Sequence, residues 1–474
     1  MKIRATMGEA MYILFSLFFA VTCILRLFTD YRVVRYILIG LYIWLFILTL
    51  RDKNFSIYQV FLITYFVFLL GRVFLNCFGL YDMKTLSMLQ HTSMTDEVAL
   101  LTLEILSVFL IGTSYAWLVS RTKTRYDHFN DMTPKILWGG VIKALYYVYI
   151  VLFILKLVYL ISAIRLFGYL ALFNGTVSAN IKYPLIFTGV ATITEILFVL
   201  ILYHERDIKS FWRYAAPLLL AGFIKMLTGQ RGYGLVLLLY IIYLWSTYYK
   251  EVKITNIKII LLALFVPIVI QMIWNFRYGT SINIIDILKN NIYATTLQSQ
   301  GCSIEVIAGT IMHADEFQNK VPFILGYFVD FVKGRTLTQN MEAITYGNYL
   351  GYQLTYAINS AAFLSGRGTG TSYIAEIFST FHGSLILLFA GAYISTRFVL
   401  TIAQNAYKNL FLFGLSFYLL TDFIYSPRDS IFKSLSSVVV IILVFCIYQF
   451  FAGRGKFRFR ISQKKNIENR GFYP

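Results

Sequence analysis

Cysteine and charged residues are both scarce in this chain of 474 residues. Only 14% of the residues are charged and 58% are hydrophobic, which is more apolar surface than one soluble core can bury. Of the four cysteines, only Cys302 lies outside the long apolar stretches. The sequence therefore argues against a soluble globular protein, and it indicates no disulfide framework.

Signatures of metal sites and of hydrolytic enzymes are missing as well. No His-Glu-x-x-His motif, no nucleophile elbow and no Ser/His/Asp signature occurs, and the long segment 277–382 holds no Asp-x-Asp pair. The run His313-Ala314-Asp315-Glu316 is a weak set of metal ligands. The sequence thus predicts neither a metal nor a cofactor, and we find no internal repeat.

Instead, the chain has many apolar stretches long enough to cross a bilayer, which takes about 20 residues in a helix. They predict an all-α, polytopic membrane bundle of about twelve spans. The first span is predicted to be a retained helix, because no small-residue cleavage site follows it. The predicted spans cover residues 9–28, 34–50, 56–77, 97–119, 141–164, 184–203, 211–227, 232–248, 257–276, 383–403, 409–425 and 434–452.

Lysine and arginine are unevenly distributed between alternate loops. If the N-terminus lies inside, most of them fall in the inner loops and in the basic tail 454–474. Cytoplasmic loops retain positive charge during insertion, so both termini are predicted to lie in the cytoplasm. This topology and anionic lipid explain the net charge of +19 better than nucleic acid does.

One long segment, residues 277–382, separates the ninth and tenth spans and is predicted to lie outside. Its apolar residues recur at helical spacing among polar ones, which indicates helices that lie along the outer leaflet or pack over the bundle. The predicted organisation is an N-terminal bundle (1–276), this external loop (277–382), C-terminal helices (383–453) and the basic tail (454–474).

Ionisable residues inside the predicted spans concentrate toward the outer side. Charges at such depth are costly and usually face a cavity, a partner or a substrate. Glu195 lies near the middle of its span, whereas the outer halves of other spans hold Arg72, Glu104, Lys156 and Lys225. The competing interpretation is internal pairing, for example of Arg72 or Lys156 with Glu104.

Four more arginines stand in short segments that contain glycine or proline: Arg231, Arg277, Arg367 and Arg428. Glycine lets the backbone approach a ligand closely, and guanidinium groups match the geometry of phosphate. Together with the buried cations they predict an outward-facing pocket for a lipid-linked phosphate or diphosphate. For any one arginine, a side chain reaching from a helix end to the interface is the alternative.

Glu376 lies in the first turn of a helix predicted to follow Gly366-Arg367-Gly368-Thr369-Gly370. That glycine segment is not a dinucleotide fingerprint, because no strand or βαβ unit surrounds it. The helix macrodipole favours an anion in the first turn, which is the structural explanation of Glu376. The functional hypothesis is a general base that takes a proton from a sugar hydroxyl.

Three segments, and the plan of many spans with one large external loop, resemble Wzy-type O-antigen and capsular repeat-unit polymerases. The segments are 298–304 (Gln-Ser-Gln-Gly-Cys-Ser-Ile), 368–376 (Gly-Thr-Gly-Thr-Ser-Tyr-Ile-Ala-Glu) and 425–430 (Tyr-Ser-Pro-Arg-Asp-Ser).

The resemblance implies a GT-C-like, metal-independent glycosyltransferase of the bacterial cytoplasmic membrane. It would move a growing glycan from undecaprenyl diphosphate onto the non-reducing end of a new lipid-linked repeat unit at the outer face. A flippase and a chain-length regulator are the implied partners.

The residue chemistry supplies candidates for each role in such a reaction. Arg231, Arg277 and Arg428 are the first candidates for binding diphosphate, supported by Arg367, Arg72, Lys156 and Lys225. Glu376 is the candidate base. Other loop candidates are Gln300, Ser303, Glu305, His313, Asp315 and Tyr373, and candidate sugar-stacking surfaces are Tyr278, Tyr346, Tyr349, Tyr352 and Tyr356.

Two other functions share parts of this pattern. An O-antigen ligase would use the same lipid substrate and cationic pocket, but the loop histidine with spaced glycines that it requires is not found around His313. A lipid-oligosaccharide flippase or another transporter is the second alternative. Transporters often contain repeated halves, whereas no repeat is visible in this chain.

Overall fold

A computed structural model describes residues 6–52, 54–87, 92–121, 139–174, 176, 184–205, 207–229, 231–250, 252–278, 291–317, 321–334, 338–448 and 450. The side chains of Arg231, Arg277 and Tyr278 lie outside this description. The described chain is mostly helical, with one antiparallel pair of two-residue strands, Thr85–Leu86 and Thr92–Ser93.

The helices follow the predicted spans closely and continue through the long segment after them. A π-helical turn, Phe66–Leu70, joins α3 (Ile57–Tyr65) and α4 (Gly71–Cys77) into one continuous helix. The helices are α1 (Met7–Ile24), α2 (Tyr31–Thr49), α3 (Ile57–Tyr65), α4 (Gly71–Cys77), α5 (Asp96–Arg121), α6 (Gly139–Phe167), α7 (Val190–His204), α8 (Ile208–Leu227), α9 (Arg231–Leu244), α10 (Ile257–Tyr278), α11 (Ile292–Gln300), α12 (Ser303–Met312), α13 (Gly326–Val332), α14 (Met341–Tyr346), α15 (Leu350–Ile358), α16 (Ser360–Leu364), α17 (Tyr373–Thr380), α18 (Leu385–Asn405), α19 (Leu410–Tyr425) and α20 (Leu435–Tyr448).

Polar residues at the helix starts explain where several of these helices begin. Thr6 and Ser56 each form a capping box, with Glu9 and Gln59 respectively, so that backbone N–H groups at the first turn are satisfied. The Asn409 side chain accepts from the N–H of Leu412 at the start of α19. The apolar runs that follow such caps then continue as helices.

Among the described residues, seven helical stretches are long and apolar enough to cross a membrane. They are Met7–Ile24, Tyr31–Thr49, Ile57–Cys77, Asp96–Arg121, Gly139–Phe167, Gly232–Tyr249 and Leu385–Lys408. Shorter apolar helices, including α7, α19 and α20, occupy other predicted spans. The prediction of a polytopic helical membrane protein is confirmed, whereas the number of twelve spans stays a prediction.

Helix α5 lies in the middle of the bundle and is buried over most of its length. Helix α18 packs closely along it at Gly112, where a Cβ atom would lie 2.8 Å from the carbonyl oxygen of Phe389. Small residues permit this close helix contact. On another side, Phe61 of α3 stacks on Phe423 of α19 with ring centroids 4.5 Å apart, which places α19 against the bundle.

The long segment after α10 packs into the protein. Helix α12 is buried from Ser303 to Thr310 and contacts both α5 and α15. Gly309 faces Leu354 of α15, since a Cβ atom would lie 3.1 Å from that side chain. The core of this segment is thus continuous with the core of the bundle.

A buried ion pair joins α4 to α12. Arg72 pairs with Glu305, and both side chains are only 3% exposed. Arg72 Nε also donates to the carbonyl oxygen of Gln298 (2.8 Å), and the Ser87 hydroxyl donates to Glu305 (2.8 Å). Of the two interpretations of Arg72, internal pairing is therefore the one the contacts support, with Glu305 rather than Glu104 as the partner.

Arg72→Ala should destabilise the protein by about 3–5 kcal/mol, because it leaves Glu305 buried without a counter-charge. The double variant Arg72→Met with Glu305→Leu should recover most of that loss. Thermal unfolding in detergent measures both effects. Lys84→Ala is the control, since its partner Asp96 is exposed and the pair should contribute under about 1 kcal/mol. A double variant that unfolds as easily as Arg72→Ala would contradict this account.

Candidate active site

One large cavity lies where α7, α8, α9 and α19 meet the long segment after α10. Its volume is about 1290 Å³, larger than the several hundred Å³ that suffice for a drug-sized molecule. The bundle lines it with residues of α7 to α9 and of α19, and the long segment lines it with residues 300, 327, 339, 349, 351, 352 and 366–370. The cavity can hold a ligand with several parts.

Glycines bring the backbone to the cavity wall at two places on the bundle side. At Gly229, φ is +90° and a Cβ atom would lie 2.0 Å from the ring of Tyr169. At Gly232, a Cβ atom would lie 2.2 Å from the ring of Tyr425. Only glycine fits both positions, which explains the Gly-x-x-Gly spacing around residue 231.

Arg428 lies on the turn that follows α19. Its guanidinium Nη1 donates to the carbonyl oxygen of Gln300 (3.2 Å) and lies 3.6 Å from the Sγ of Cys302. The Phe68 ring is 5.5 Å from its Cζ. Among the described residues no carboxylate is within ion-pair distance of Arg428, so uncharged groups hold this cation at the cavity.

A second cation, Lys225 of α8, lies on the bundle side of the same cavity. Its Nζ is 3.5 Å from the ring centroid of Tyr233. Glu195 lies beside it and accepts hydrogen bonds from the hydroxyls of Tyr233 (2.5 Å) and Tyr418 (3.0 Å). These two tyrosines fix the carboxylate next to the ammonium group.

The cavity is lined by charges of both signs. In the described part of the chain its cations are Lys225, Arg367, Arg428 and Lys433, and its acids are Glu195, Asp422 and Asp429. Asp422 accepts from the N–H and hydroxyl of Ser434, both at 2.8 Å. Asp429 pairs with Lys433 and accepts from the N–H of Ser430. Each acid thus has a local partner, whereas Arg428 has no ion-pair partner in that part of the chain.

The start of α17 docks on the turn that carries Arg428. The N–H of Tyr373 donates to the carbonyl oxygens of Ser426 and Asp429, both at 3.0 Å. Glu376, one turn further on, is fully buried and does not line the cavity. Burial raises the pKa of Glu376 to about 8, although hydrogen bonds from Ser430 and Thr371 oppose the shift.

The structure brings some of the sequence-predicted site residues together. Arg428, Arg367, Lys225 and Gln300 all line the cavity, as do Tyr349 and Tyr352 of the predicted stacking surfaces. The side chains of Arg231, Arg277 and Tyr278 lie outside the description, although Gly229 and Gly232 beside Arg231 line the cavity.

Other predicted residues lie elsewhere. Arg72 and Glu305 pair with each other, and Lys156 donates to the carbonyl oxygen of Phe187 (3.0 Å). His313 contacts Glu316 (2.7 Å). Buried away from the lining are Ser303, Tyr373 and Glu376; Asp315 and Tyr346 are exposed, and Tyr356 is half-buried outside the lining.

Several cavity residues were not among the predicted site residues. Asp422 lies inside a predicted span, and the high cost of an acid there was a usable signal. Asp429 directly follows Arg428 in one of the family-like segments. Gln339, Tyr327 and Lys433 carried no local signal, because only the tertiary fold brings them to the cavity.

Comparison with known proteins identifies the family. A family model described as O-antigen polysaccharide polymerase Wzy matches residues 10–454. No curated protein and no solved structure gives a match. The family match supports polymerisation over the ligase and flippase alternatives, in agreement with the resemblance of the three segments. The chain belongs to the Wzy family of O-antigen polysaccharide polymerases, which are membrane proteins that polymerise O-antigen repeat units.

Proposed function

We propose that this cavity is the active site and that it binds the undecaprenyl-diphosphate-linked glycan at the outer face of the bacterial cytoplasmic membrane. The observation that carries the proposal is the convergence of Arg428, Lys225, Lys433 and Arg367 on one cavity. In this proposal the protein crosses the membrane about twelve times in a GT-C-like plan, with both termini in the cytoplasm and residues 277–382 outside.

The reaction transfers the growing glycan to a new lipid-linked repeat unit. A hydroxyl oxygen of the acceptor sugar forms a bond to the anomeric carbon of the donor glycan. The bond between that carbon and the diphosphate oxygen breaks, and its electron pair leaves with the diphosphate. The hydroxyl proton passes to a carboxylate of the protein.

The cations stabilise the departing diphosphate. Diphosphate is a good leaving group that needs its negative charge neutralised more than it needs a proton, and preorganised Arg and Lys can supply that without a metal. Arg428 suits this role because Gln300 and Cys302 hold it in place without neutralising it. We propose Arg231 and Arg277 as further diphosphate ligands on the basis of their sequence context.

We assign the base to Asp429 and a positioning role to Glu376. Asp429 lines the cavity next to Arg428, and its ion pair with Lys433 holds the carboxylate in place. Glu376 lies behind the wall and is largely protonated at neutral pH, since burial raises its pKa to about 8. A neutral Glu376 avoids a second negative charge beside Asp429.

A flippase that delivers repeat units and a regulator of chain length are proposed partners. A polymerase whose donor and acceptor are both lipid-linked at the outer face needs a supply of units there. Because the reaction lengthens the product step by step, the modal chain length requires a further control.

Arg428→Ala should lower polymerisation by about 100-fold or more, because the leaving diphosphate loses a preorganised cation. Arg428→Lys should recover part of the activity, since it restores the charge but not the guanidinium fork. Purified protein given labelled lipid-linked repeat units yields a ladder of products that measures this. Arg397→Ala is the matched control, because Arg397 donates to Ser120 and lies outside the cavity lining. A normal ladder from Arg428→Ala would contradict the proposed site.

Asp429→Asn and Glu376→Gln should separate the two carboxyl groups. Loss of a general base lowers turnover by about 100-fold or more, so Asp429→Asn should be nearly inactive at every pH. Glu376→Gln preserves the neutral form and should keep most of the activity at pH 7. The ladder assay across pH distinguishes them, and the opposite pattern would move the base to Glu376.

Glu376→Gln should also flatten the pH dependence of stability. Between about pH 4.5 and 8 the folded protein binds a proton at Glu376 that the unfolded chain does not, so wild-type stability falls as pH rises through this window. In the variant, the slope of the free energy of unfolding against pH should be smaller by up to about 1.4 kcal/mol per pH unit. Thermal unfolding between pH 5 and 8 measures it. Identical slopes in both proteins would rule out a buried neutral carboxyl.

A further inference from the structure

We propose that Gln339 and the tyrosine wall Tyr327, Tyr349 and Tyr352 form a sugar-binding subsite that recognises a hydroxyl and a ring face of the repeat unit. This inference rests on the proposed function, since it assigns the glycan part of the lipid-linked substrate to one end of the same cavity. All four residues line the cavity on the side of the long segment.

Gln339 lines the cavity and carries a buried acceptor that is unused in the described part of the chain. Its side chain is only 5% exposed, and its Nε2 donates to the carbonyl oxygen of Arg367 (2.8 Å). A carbonyl oxygen accepts only, which fixes the amide with its nitrogen toward Arg367 and its oxygen away from it. The Oε1 has no hydrogen-bond partner among the described residues. A buried acceptor left in this state costs free energy, and a ligand hydroxyl removes that cost.

The three tyrosines form a continuous aromatic wall. The ring centroids of Tyr327 and Tyr349 are 4.9 Å apart, and those of Tyr349 and Tyr352 are 4.8 Å apart. Aromatic faces offer large apolar contact area, and phenolic hydroxyls add polar contacts. A sugar ring, with apolar C–H faces and a rim of hydroxyls, matches such a wall next to a hydrogen-bond acceptor.

Neighbouring contacts hold this wall rigidly. The N–H and side-chain amide of Asn348 both donate to Asp330, each at 3.0 Å, which ties the start of α15 to α13. Gly326 permits the approach, because a Cβ atom there would lie 2.1 Å from the carbonyl oxygen of Asn348. The tyrosines therefore stand in place before any ligand binds, which lowers the entropic cost of binding.

Glycines also open the floor of the subsite. Gly351 lies so near the segment 366–370 that a Cβ atom at Gly351 would be 2.6 Å from the carbonyl oxygen of Gly370. Gly351, Gly366, Gly368 and Gly370 all line the cavity. With no side chains there, a bulky ligand can approach the backbone closely.

The elements that line the cavity contribute side chains of different chemistry. The bundle side offers apolar residues such as Val236, Leu237 and Phe417. Lys225 also stands on that side, while Arg428 and Lys433 come from the turn after α19, and Gln339 and the tyrosines stand on the side of the long segment. Apolar, cationic and tyrosine-rich surfaces suit a prenyl chain, a diphosphate and sugars respectively, so in this proposal the subsite selects the glycan while the cations bind the carrier.

Two probes test the subsite: undecaprenyl diphosphate carrying one repeat unit, and undecaprenyl diphosphate without sugar. Gln339→Leu should weaken binding of the sugar-bearing lipid by about ten-fold and leave that of the bare lipid within about two-fold. Gln353→Leu is the matched control. Gln353 is 4% exposed and donates to the carbonyl oxygen of Ile344 (2.8 Å), but it does not line the cavity. Both affinities should stay within about two-fold of wild type in that variant.

Tyr352→Leu provides an independent test, because it leaves Gln339 and its hydrogen bond to the carbonyl oxygen of Arg367 intact. This substitution should weaken binding of the sugar-bearing lipid by about ten-fold. Tyr352→Phe should keep the ring face and most of the affinity for that lipid. If Gln339→Leu and Tyr352→Leu both bind the sugar-bearing lipid as tightly as the wild-type protein does, the proposed subsite is wrong. Unchanged binding of the bare lipid by Arg428→Ala would overturn the proposed diphosphate site instead, so the two failures are distinguishable.

Discussion

A charged side chain in the interior of a membrane protein must find an opposite charge or a ligand, because taking it out of water costs several kcal/mol. This constraint distinguishes the cations that the structure describes. Arg72 is buried and is neutralised by Glu305, and the partly exposed Arg121 is neutralised by Glu9 and Asp52. Arg428 is held by a carbonyl oxygen and a thiol instead, so its charge remains available to an anion from outside.

The turn after α19 connects the parts of the candidate site. It receives the N–H of Tyr373 from α17, carries Arg428 and Asp429, and leads into Lys433. The ring of Tyr425, at the end of α19, contacts Gly232 at the start of α9. One short segment thus fixes the relative positions of the long segment, the bundle and the charges between them. Residues 425–430, one of the family-like segments, thus set this geometry.

The helices could be predicted because each depends on a local property, the length and apolarity of a continuous stretch. The clustering of Arg428 and Lys225 was predicted in part, since buried charge and glycine-rich context are visible in sequence. The partner of Arg72 was not, because Glu305 lies on a helix that only the tertiary fold brings to α4. For the same reason Gln339 was not predicted as a site residue. Its role depends on an amide oxygen without a hydrogen-bond partner among the described residues, and only the tertiary fold determines which groups surround that oxygen.

Arg428 and the neighbouring cations are proposed to bind the carrier diphosphate in the cavity. A cryo-electron microscopy structure of the protein with undecaprenyl diphosphate in a lipid nanodisc tests it most directly. We expect both phosphates to lie inside the cavity, with at least one oxygen within hydrogen-bonding distance of the Arg428 guanidinium. Phosphate density at another surface, with Arg428 still bound only to Gln300 and Cys302, would contradict it.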